Sequence, residues 1–200
     1  MTRERFSLLA LLALLAGVAS AQDRRLSDEL AAKLVAAAVA QTTSRVTYDG
    51  SYRRIGYPGG DVPETVGVCT DLVIRAYRCI GIDLQVEVHE DMGRAFQVYP
   101  QQWGLAGPDR NIDHRRVPNL RTYFRRAGAE RPVSRQAADY RAGDLVTWML
   151  PGNLPHIGIV TATLAPASGV PLIVHNIGRG PEVQDMLFAY PISGHYRYGR

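Results

Sequence analysis

Three residues in this sequence are of the types that perform nucleophilic catalysis, namely Cys69, His156 and His175. Cys69 follows a loop rich in glycine and proline and precedes the run 71–80, which contains neither residue and is typical of a helix. A thiol at a helix N-terminus lies near unpaired backbone N–H groups and the positive end of the helix dipole. Both lower the pKa of a thiol, so we expect Cys69 to form the nucleophilic thiolate.

The two histidines lie in neighbouring β-rich runs. His156 begins the run 156–163, and His175 lies late in the run 171–177. A thiolate nucleophile needs a nearby base, usually a histidine, and a group that orients this base. Adjacent antiparallel strands can bring such residues together on one face of a sheet. Since His175 and Asn176 point to opposite faces of a strand, we expect only one of them to face the thiol.

The second cysteine, Cys79, lies at the far end of the predicted helix. A helix of this length rises about 15 Å, whereas a disulfide needs Cα atoms less than about 7 Å apart. We therefore predict that Cys69 and Cys79 do not form a disulfide and that Cys79 is structural.

The elements that must position these residues are predicted as helices first and strands later. The predicted helices are 27–42, 71–80 and 119–127, and the predicted strands are 144–150, 156–163, 171–177 and 195–198. The segment 84–117 is predicted as a mixture of short strands and loops. This order favours an α+β domain with an N-terminal helix, a cysteine-bearing helix and an antiparallel sheet.

Length and composition exclude several classes of protein. The 200 residues suffice for one well-cored domain and are too few for two large ones. A hydrophobic content of 46% and a charged content of 21% exclude a wholly disordered chain, collagen and a coiled coil. The 2 cysteines exclude a miniprotein held by several disulfides and a four-cysteine zinc ribbon.

The first residues, 1–21, are predicted to be a secretory signal peptide. Two arginines precede the apolar stretch 6–16, and Ala-Ser-Ala at 19–21 forms a small-x-small cleavage site. The apolar stretch is too short for a comfortable bilayer span. We therefore expect an exported mature chain, 22–200, that folds as a single domain and contains no transmembrane segment.

The order of the motifs resembles that of the NlpC-type cell-wall peptidases, a papain-like clan. The resemblance rests on Tyr57-Pro58-Gly59-Gly60, Pro63, Gly67, Cys69, Gly143-Asp144-Leu145-Val146, His156-Ile157-Gly158-Ile159 and Val174-His175. It implies a papain-like fold with Cys69 as nucleophile, His156 as base and His175 as the residue that orients the base. It also implies that Tyr57 lies near the oxyanion site.

The sequence motifs more closely resemble those of a bacterial family known as domain of unknown function 1287. This resemblance rests on Cys69-Thr70-Asp71-Leu72, the run 111–120 (NIDHRRVPNL), the run 155–160 (PHIGIV), Val174-His175-Asn176-Ile177-Gly178 and Gly194-His195-Tyr196-Arg197. It spans most of the mature chain and implies no settled activity.

The segment 84–135 resembles an insertion beside the compact members of the clan, and it is rich in arginine. It is either a solvated surface or a cleft wall that binds carboxylates. Asp71 stands where the clan has glycine, and its carboxylate suits the helix dipole but could raise the pKa of Cys69. The candidate contacts for a substrate or oxyanion are Tyr57, Asp71, Asp113, His114, Arg115 and Asn176.

The leading expectation is an exported thiol hydrolase that cleaves an amide bond in peptidoglycan stem peptides, without a cofactor or metal. The resemblance makes the periplasm the expected location, and export argues against nucleic acid as the partner of the basic surface. An acyltransferase would use the same thiol and histidines.

Two alternatives stay open. One is a zinc-dependent cell-wall hydrolase with Cys69, His156 and His175 as ligands, since these residue types bind zinc and three ligands leave room for a water. The other is a non-catalytic protein that binds the cell wall.

Overall fold

Helices dominate the first part of the chain, and strands dominate the second. The computed structural model of the protein describes residues 26–199, so the predicted signal segment, 1–21, lies outside it. In this part of the chain the α-helices are α1 (Asp28–Ala40), α2 (Cys69–Cys79), α3 (Leu84–Ala95) and α4 (Val117–Arg126). The strands are β1 (Thr47–Tyr48), β2 (Val66–Gly67), β3 (Glu130–Arg131), β4 (Leu145–Leu150), β5 (Leu154–Leu164), β6 (Pro171–Asn176), β7 (Pro181–Gln184) and β8 (Ile192–Tyr196).

Six of these strands form one antiparallel sheet in the order β3-β8-β4-β5-β6-β7. The remaining two, β1 and β2, form a small parallel pair. The predicted α+β class, the N-terminal helix, the cysteine-bearing helix and the antiparallel sheet are therefore confirmed. None of the helices described in residues 26–199 is long and apolar enough to cross a membrane.

Side-chain alternation gives the large sheet two apolar faces. The helical face carries Ile157 and Ile159 of β5, which join the core beneath the helices, whereas the outer face carries Val160 and belongs to a second cluster. That second cluster consists of Tyr140, Val146, Trp148, Val160, Ile173, Met186 and Leu187. Strand β5 is thus covered on both faces, and its central residues are buried.

Helix α2 begins at Cys69, two residues before the predicted start. The Asp71 carboxylate accepts a hydrogen bond from the Val68 backbone N–H (2.7 Å), which satisfies one of the donors that every helix start exposes. The helix buries Leu72, Val73 and Ala76 against the sheet. Gly81 follows with φ +79°, a conformation that glycine adopts without strain and that ends the helix.

The segment 84–135 packs into the helical core. It contains α3, which the sequence did not predict and which begins where the Asp83 side chain accepts the Gln85 backbone N–H (3.0 Å). Its buried apolar residues join the same cluster as those of α1 and α2; they include Leu84, Val88, Met92, Val117, Leu120 and Phe124.

Candidate functional site

The Cys69 thiol lies at the first residue of α2 and is buried, with 4% of the residue exposed. The backbone N–H groups of Ile157 and Thr70 and the Tyr48 hydroxyl lie near the sulfur and favour its charged form. The pairing of β5 with β6 begins at Gly158, one residue after Ile157. The thiol therefore lies near the β5 backbone at the residue that follows His156.

The pKa of Cys69 differs from the expectation. Burial raises it to about 11, with the Asp71 carboxylate acting in the same direction. The hydrogen bonds from Ile157, Tyr48 and Thr70 lower it, but they do not outweigh the loss of hydration. The residue is therefore a thiol rather than the expected thiolate, because burial outweighs the effect of the helix start.

The predicted histidines lie next to each other on adjacent strands. His156 Nε2 is 3.0 Å from His175 Nδ1, and His175 Nε2 is 3.1 Å from Gln184 Oε1 on β7. The Gly158–His175 pairing between β5 and β6 creates this contact. We call His156, His175 and Gln184 the histidine row.

The environment of the histidine row keeps both rings neutral. Burial and the neighbouring His175 lower the pKa of His156 to about 3. Burial also lowers the pKa of His175, although the Gln184 hydrogen bond and the Glu182 carboxylate oppose that shift. The His156 ring packs near Trp148, with the ring centres 5.9 Å apart. A neutral imidazole retains a lone pair, so such a ring can accept a proton from a thiol.

Tyr48 is a site residue that the sequence reasoning missed. The parallel pairing of β1 with β2 sets Tyr48 opposite Gly67, two residues before the cysteine. Its hydroxyl lies near both the Cys69 backbone N–H and the Cys69 thiol, and both act on its pKa. The Tyr57 ring, by contrast, packs edge-on against His89 at 5.1 Å and lies under the Arg110 guanidinium at 5.7 Å.

Two predicted substrate contacts, Asp71 and Arg115, form a buried ion pair. The Arg115 Nε–Asp71 Oδ1 distance is 2.7 Å, and the two side chains are 2% and 3% exposed. Arg115 also donates to the carbonyls of Ser51 (3.2 Å) and Asp49 (3.3 Å). Both charged groups therefore bind partners inside the protein. The pair connects the start of α2 to the loop after β1.

The other predicted contacts, Asp113, His114 and Asn176, are also buried inside the protein. The Asp113 carboxylate accepts the Asp109 backbone N–H and pairs with Arg116 at 3.1 Å. His114 is buried, and burial together with the nearby positive charges lowers its pKa to about 3. The Asn176 side chain accepts the Gly178 backbone N–H (3.1 Å) and so closes a turn after β6.

Several arginines of 84–135 are paired with carboxylates. Arg126 contacts Asp91 at 2.6 Å, and Arg116, already paired with Asp113, lies over the Trp103 ring at 4.0 Å. This pairing favours a structural role for the arginines over a cleft wall that binds anions.

A second buried histidine site lies at the other end of the sheet. His195 Nε2 is 2.7 Å from Asp144 Oδ2, and His195 Nδ1 is 3.1 Å from the Pro132 carbonyl oxygen. Arg197 donates to both oxygens of the same carboxylate, at 2.6 and 2.7 Å. These bonds lower the pKa of Asp144 despite its burial. We call Asp144, His195 and Arg197 the carboxylate network.

Residues 26–199 contain no group of three or more His, Cys, Asp or Glu side chains arranged to hold a metal ion. The direct bond between His156 and His175 also engages one ring nitrogen of each residue. The geometry of this part of the chain therefore does not favour the zinc alternative.

Both cysteines are free, with Cys69 buried and Cys79 exposed, so the prediction that they do not pair is confirmed.

Comparison with known proteins identifies the family. A family model described as a domain of unknown function, DUF1287, matches residues 35–198. The uncharacterized protein YijF of Escherichia coli (strain K12) is 52% identical over 158 residues, which cover 79% of this chain and 77% of the relative. The chain therefore belongs to the DUF1287 family.

Proposed function

We propose that this protein is an exported cysteine hydrolase that cleaves an amide bond in peptidoglycan stem peptides, with a papain-like arrangement of the NlpC type. The observation that carries the proposal is the position of Cys69 at the start of α2, with its thiol near the backbone N–H of Ile157, the residue that follows His156. A nucleophile, a neutral base and a residue that holds the base are thereby supplied by three adjacent elements. Peptidoglycan is the proposed partner and the periplasm the proposed location, on the strength of the NlpC-type motifs and the predicted signal peptide.

In the proposed reaction His156 acts as a general base. Its Nε2 is engaged by His175, so Nδ1 is the nitrogen that takes the thiol proton. Because burial holds the thiol pKa at about 11 and the His156 pKa at about 3, a preformed ion pair is disfavoured. The proton is therefore transferred as the sulfur attacks the carbonyl carbon, and charge develops only when the substrate is bound.

The oxyanion of the tetrahedral intermediate needs hydrogen-bond donors close to the sulfur. The Cys69 backbone N–H and the Tyr48 hydroxyl lie near each other. A substrate carbonyl oxygen placed between them would accept from both. Protonated His156 then gives its proton to the leaving amine, and water attacks the acyl-enzyme to release the carboxylic acid and restore the thiol.

The test is digestion of peptidoglycan and soluble muropeptides by the protein purified after export, under reducing conditions. Mass spectrometry would identify new amine and carboxyl ends. We expect these ends from wild type and from the matched control Cys79→Ser, and a loss of rate of at least about a thousandfold in Cys69→Ala. Cleavage should persist when a metal chelator is present.

The burial of the thiol favours a second candidate, a non-catalytic protein that binds the cell wall. This candidate predicts that wild type and Cys69→Ala both sediment with peptidoglycan and that neither produces new ends. Cleavage that the chelator abolishes would contradict both candidates and would support the zinc-dependent hydrolase instead.

A further inference from the structure

We infer that Gln184 is a positioning residue, which fixes the order of protons along the histidine row and leaves His156 Nδ1 free to accept the thiol proton. The inference rests on the proposed function and adds to it a residue that neither the sequence motifs nor the family description assigns. The inference depends on which atoms meet in the two contacts of the histidine row, His156 Nε2 with His175 Nδ1 and His175 Nε2 with Gln184 Oε1.

The order of protons follows from the end of the row. The amide oxygen Oε1 of Gln184 only accepts hydrogen bonds, so His175 Nε2, 3.1 Å away, carries a proton and donates it. A neutral imidazole has one N–H, so His175 Nδ1 is bare and accepts. The atom 3.0 Å from it, His156 Nε2, must then carry the proton of that ring. His156 Nδ1 is left with its lone pair, as a general base requires.

The other groups around the row are consistent with this order. Glu182 is the charged residue that acts on His175, and it pairs directly with His175 across β6 and β7. Its carboxylate does not occupy the His175 Nε2 position, which Gln184 takes. On the other side, the His156 ring packs near the buried indole of Trp148. An uncharged amide at the end of the row holds the ring without adding a carboxylate that would favour the charged imidazolium.

The row keeps its order during the proposed reaction. The thiol proton moves to His156 Nδ1 as the carbon–sulfur bond forms, and the resulting imidazolium still donates from Nε2 to His175 Nδ1. The same Nδ1 proton leaves with the amine when the carbon–nitrogen bond breaks. No proton needs to travel along the row, so Gln184 acts only by fixing which nitrogen is bare.

Histidine tautomers can be read directly by nitrogen-15 NMR on the protein purified after export, without a substrate. We expect wild-type spectra near neutral pH to show protonated Nε2 and bare Nδ1 on both His156 and His175. Gln184→Leu removes the acceptor, so the second tautomer should become populated at both rings. Gln184→Glu keeps an acceptor and should keep the order, and Glu182→Gln is the matched control on the same strand, with an unchanged order.

Activity provides the second measurement. With peptidoglycan as substrate, Gln184→Leu should lower kcat by at least about tenfold because a base in the wrong tautomer cannot act. Gln184→Glu should restore most of this loss and move the acidic limb of the pH profile to higher pH, since its carboxylate favours imidazolium. Wild-type tautomers in Gln184→Leu, or a protonated Nδ1 on wild-type His156, would overturn the inference. If wild type does not cleave peptidoglycan, the proposed function fails, while the tautomers still decide the proton order.

Discussion

Two buried histidine sites at opposite ends of the sheet differ in the charge of the groups that surround the imidazole. In the histidine row, His156 contacts another imidazole and the row ends on the amide of Gln184. In the carboxylate network, His195 and Arg197 share the Asp144 carboxylate. Burial acts on both sites, so the partners decide the difference.

The comparison separates a site suited to proton transfer from one suited to holding the fold. A carboxylate bonded to a guanidinium and an imidazole is stable as a charged group, and its proton affinity is low. Such a network joins β8 to the start of β4, and both ring nitrogens of His195 have hydrogen-bond partners. The histidine row stays neutral and keeps one unengaged ring nitrogen, which is the property that a general base needs.

The largest effect on stability should come from the carboxylate network. Asp144→Ala leaves the buried His195 and the partly buried Arg197 without their shared acceptor. We expect a loss of about 3 to 5 kcal/mol in the free energy of unfolding. Urea denaturation measures it. The matched control is Glu90→Ala, which removes an exposed carboxylate from α3 and should leave the midpoint unchanged. A loss below about 1 kcal/mol for Asp144→Ala would show that the network does not hold the fold.

A smaller effect should appear as a difference in acid sensitivity. His156 has a folded-state pKa of about 3, whereas in the unfolded chain it takes up a proton near its ordinary value of 6.5. Its contribution is therefore fully present above pH 6.5 and is lost as the pH falls from 6.5 toward 3. Within this window each such histidine reduces the free energy of unfolding by about 1.4 kcal/mol per pH unit. His156→Gln should show a correspondingly shallower decline in urea denaturation between pH 6.5 and 4.5.

The carboxylate network should respond in a different window. The lowered pKa of Asp144 means that its contribution is present above the ordinary value of 3.8 and is lost only as the pH falls below it. To keep His195 from titrating, the comparison is made in a His195→Gln background, where adding Asp144→Ala should cost the same stability at pH 7 and at pH 5. A gap that closes between these two pH values would contradict the contrast between the sites.

The sequence could predict those features of the fold and the site that depend on local sequence patterns. The positions of Cys69, His156 and His175 follow from a helix start and from β-rich runs, and the structure brings both histidines together as adjacent strands would. The antiparallel sheet follows from the same runs. Their roles in catalysis stay predictions.

Features that depend on distant packing were missed. Tyr48 reaches the thiol through a parallel pair of strands only two residues long, and Gln184 lies on β7, which the sequence did not predict. The raised pKa of Cys69 also depends on packing, because the helix start is buried against β5. Likewise, Arg115 meets Asp71 across 44 residues of sequence, so no local pattern indicates that the two charges cancel.

The smallest effect should come from the Tyr48 hydroxyl. Replacing it tests whether this hydroxyl stabilises the thiolate form of Cys69. This hydroxyl lies near the sulfur and opposes the rise in the Cys69 pKa. In a Cys79→Ser background, where Cys69 is the remaining thiol, Tyr48→Phe should slow alkylation by iodoacetamide about tenfold at pH 8. One hydrogen bond to a charged group is worth about 1.5 kcal/mol, which corresponds to that factor.

Tyr52→Phe, at an exposed tyrosine bonded to Asn111, is the matched control and should leave the rate unchanged. An unaltered rate in Tyr48→Phe would mean that the backbone N–H groups of Ile157 and Thr70 stabilise the thiolate without help, and that Tyr48 does not belong to the site.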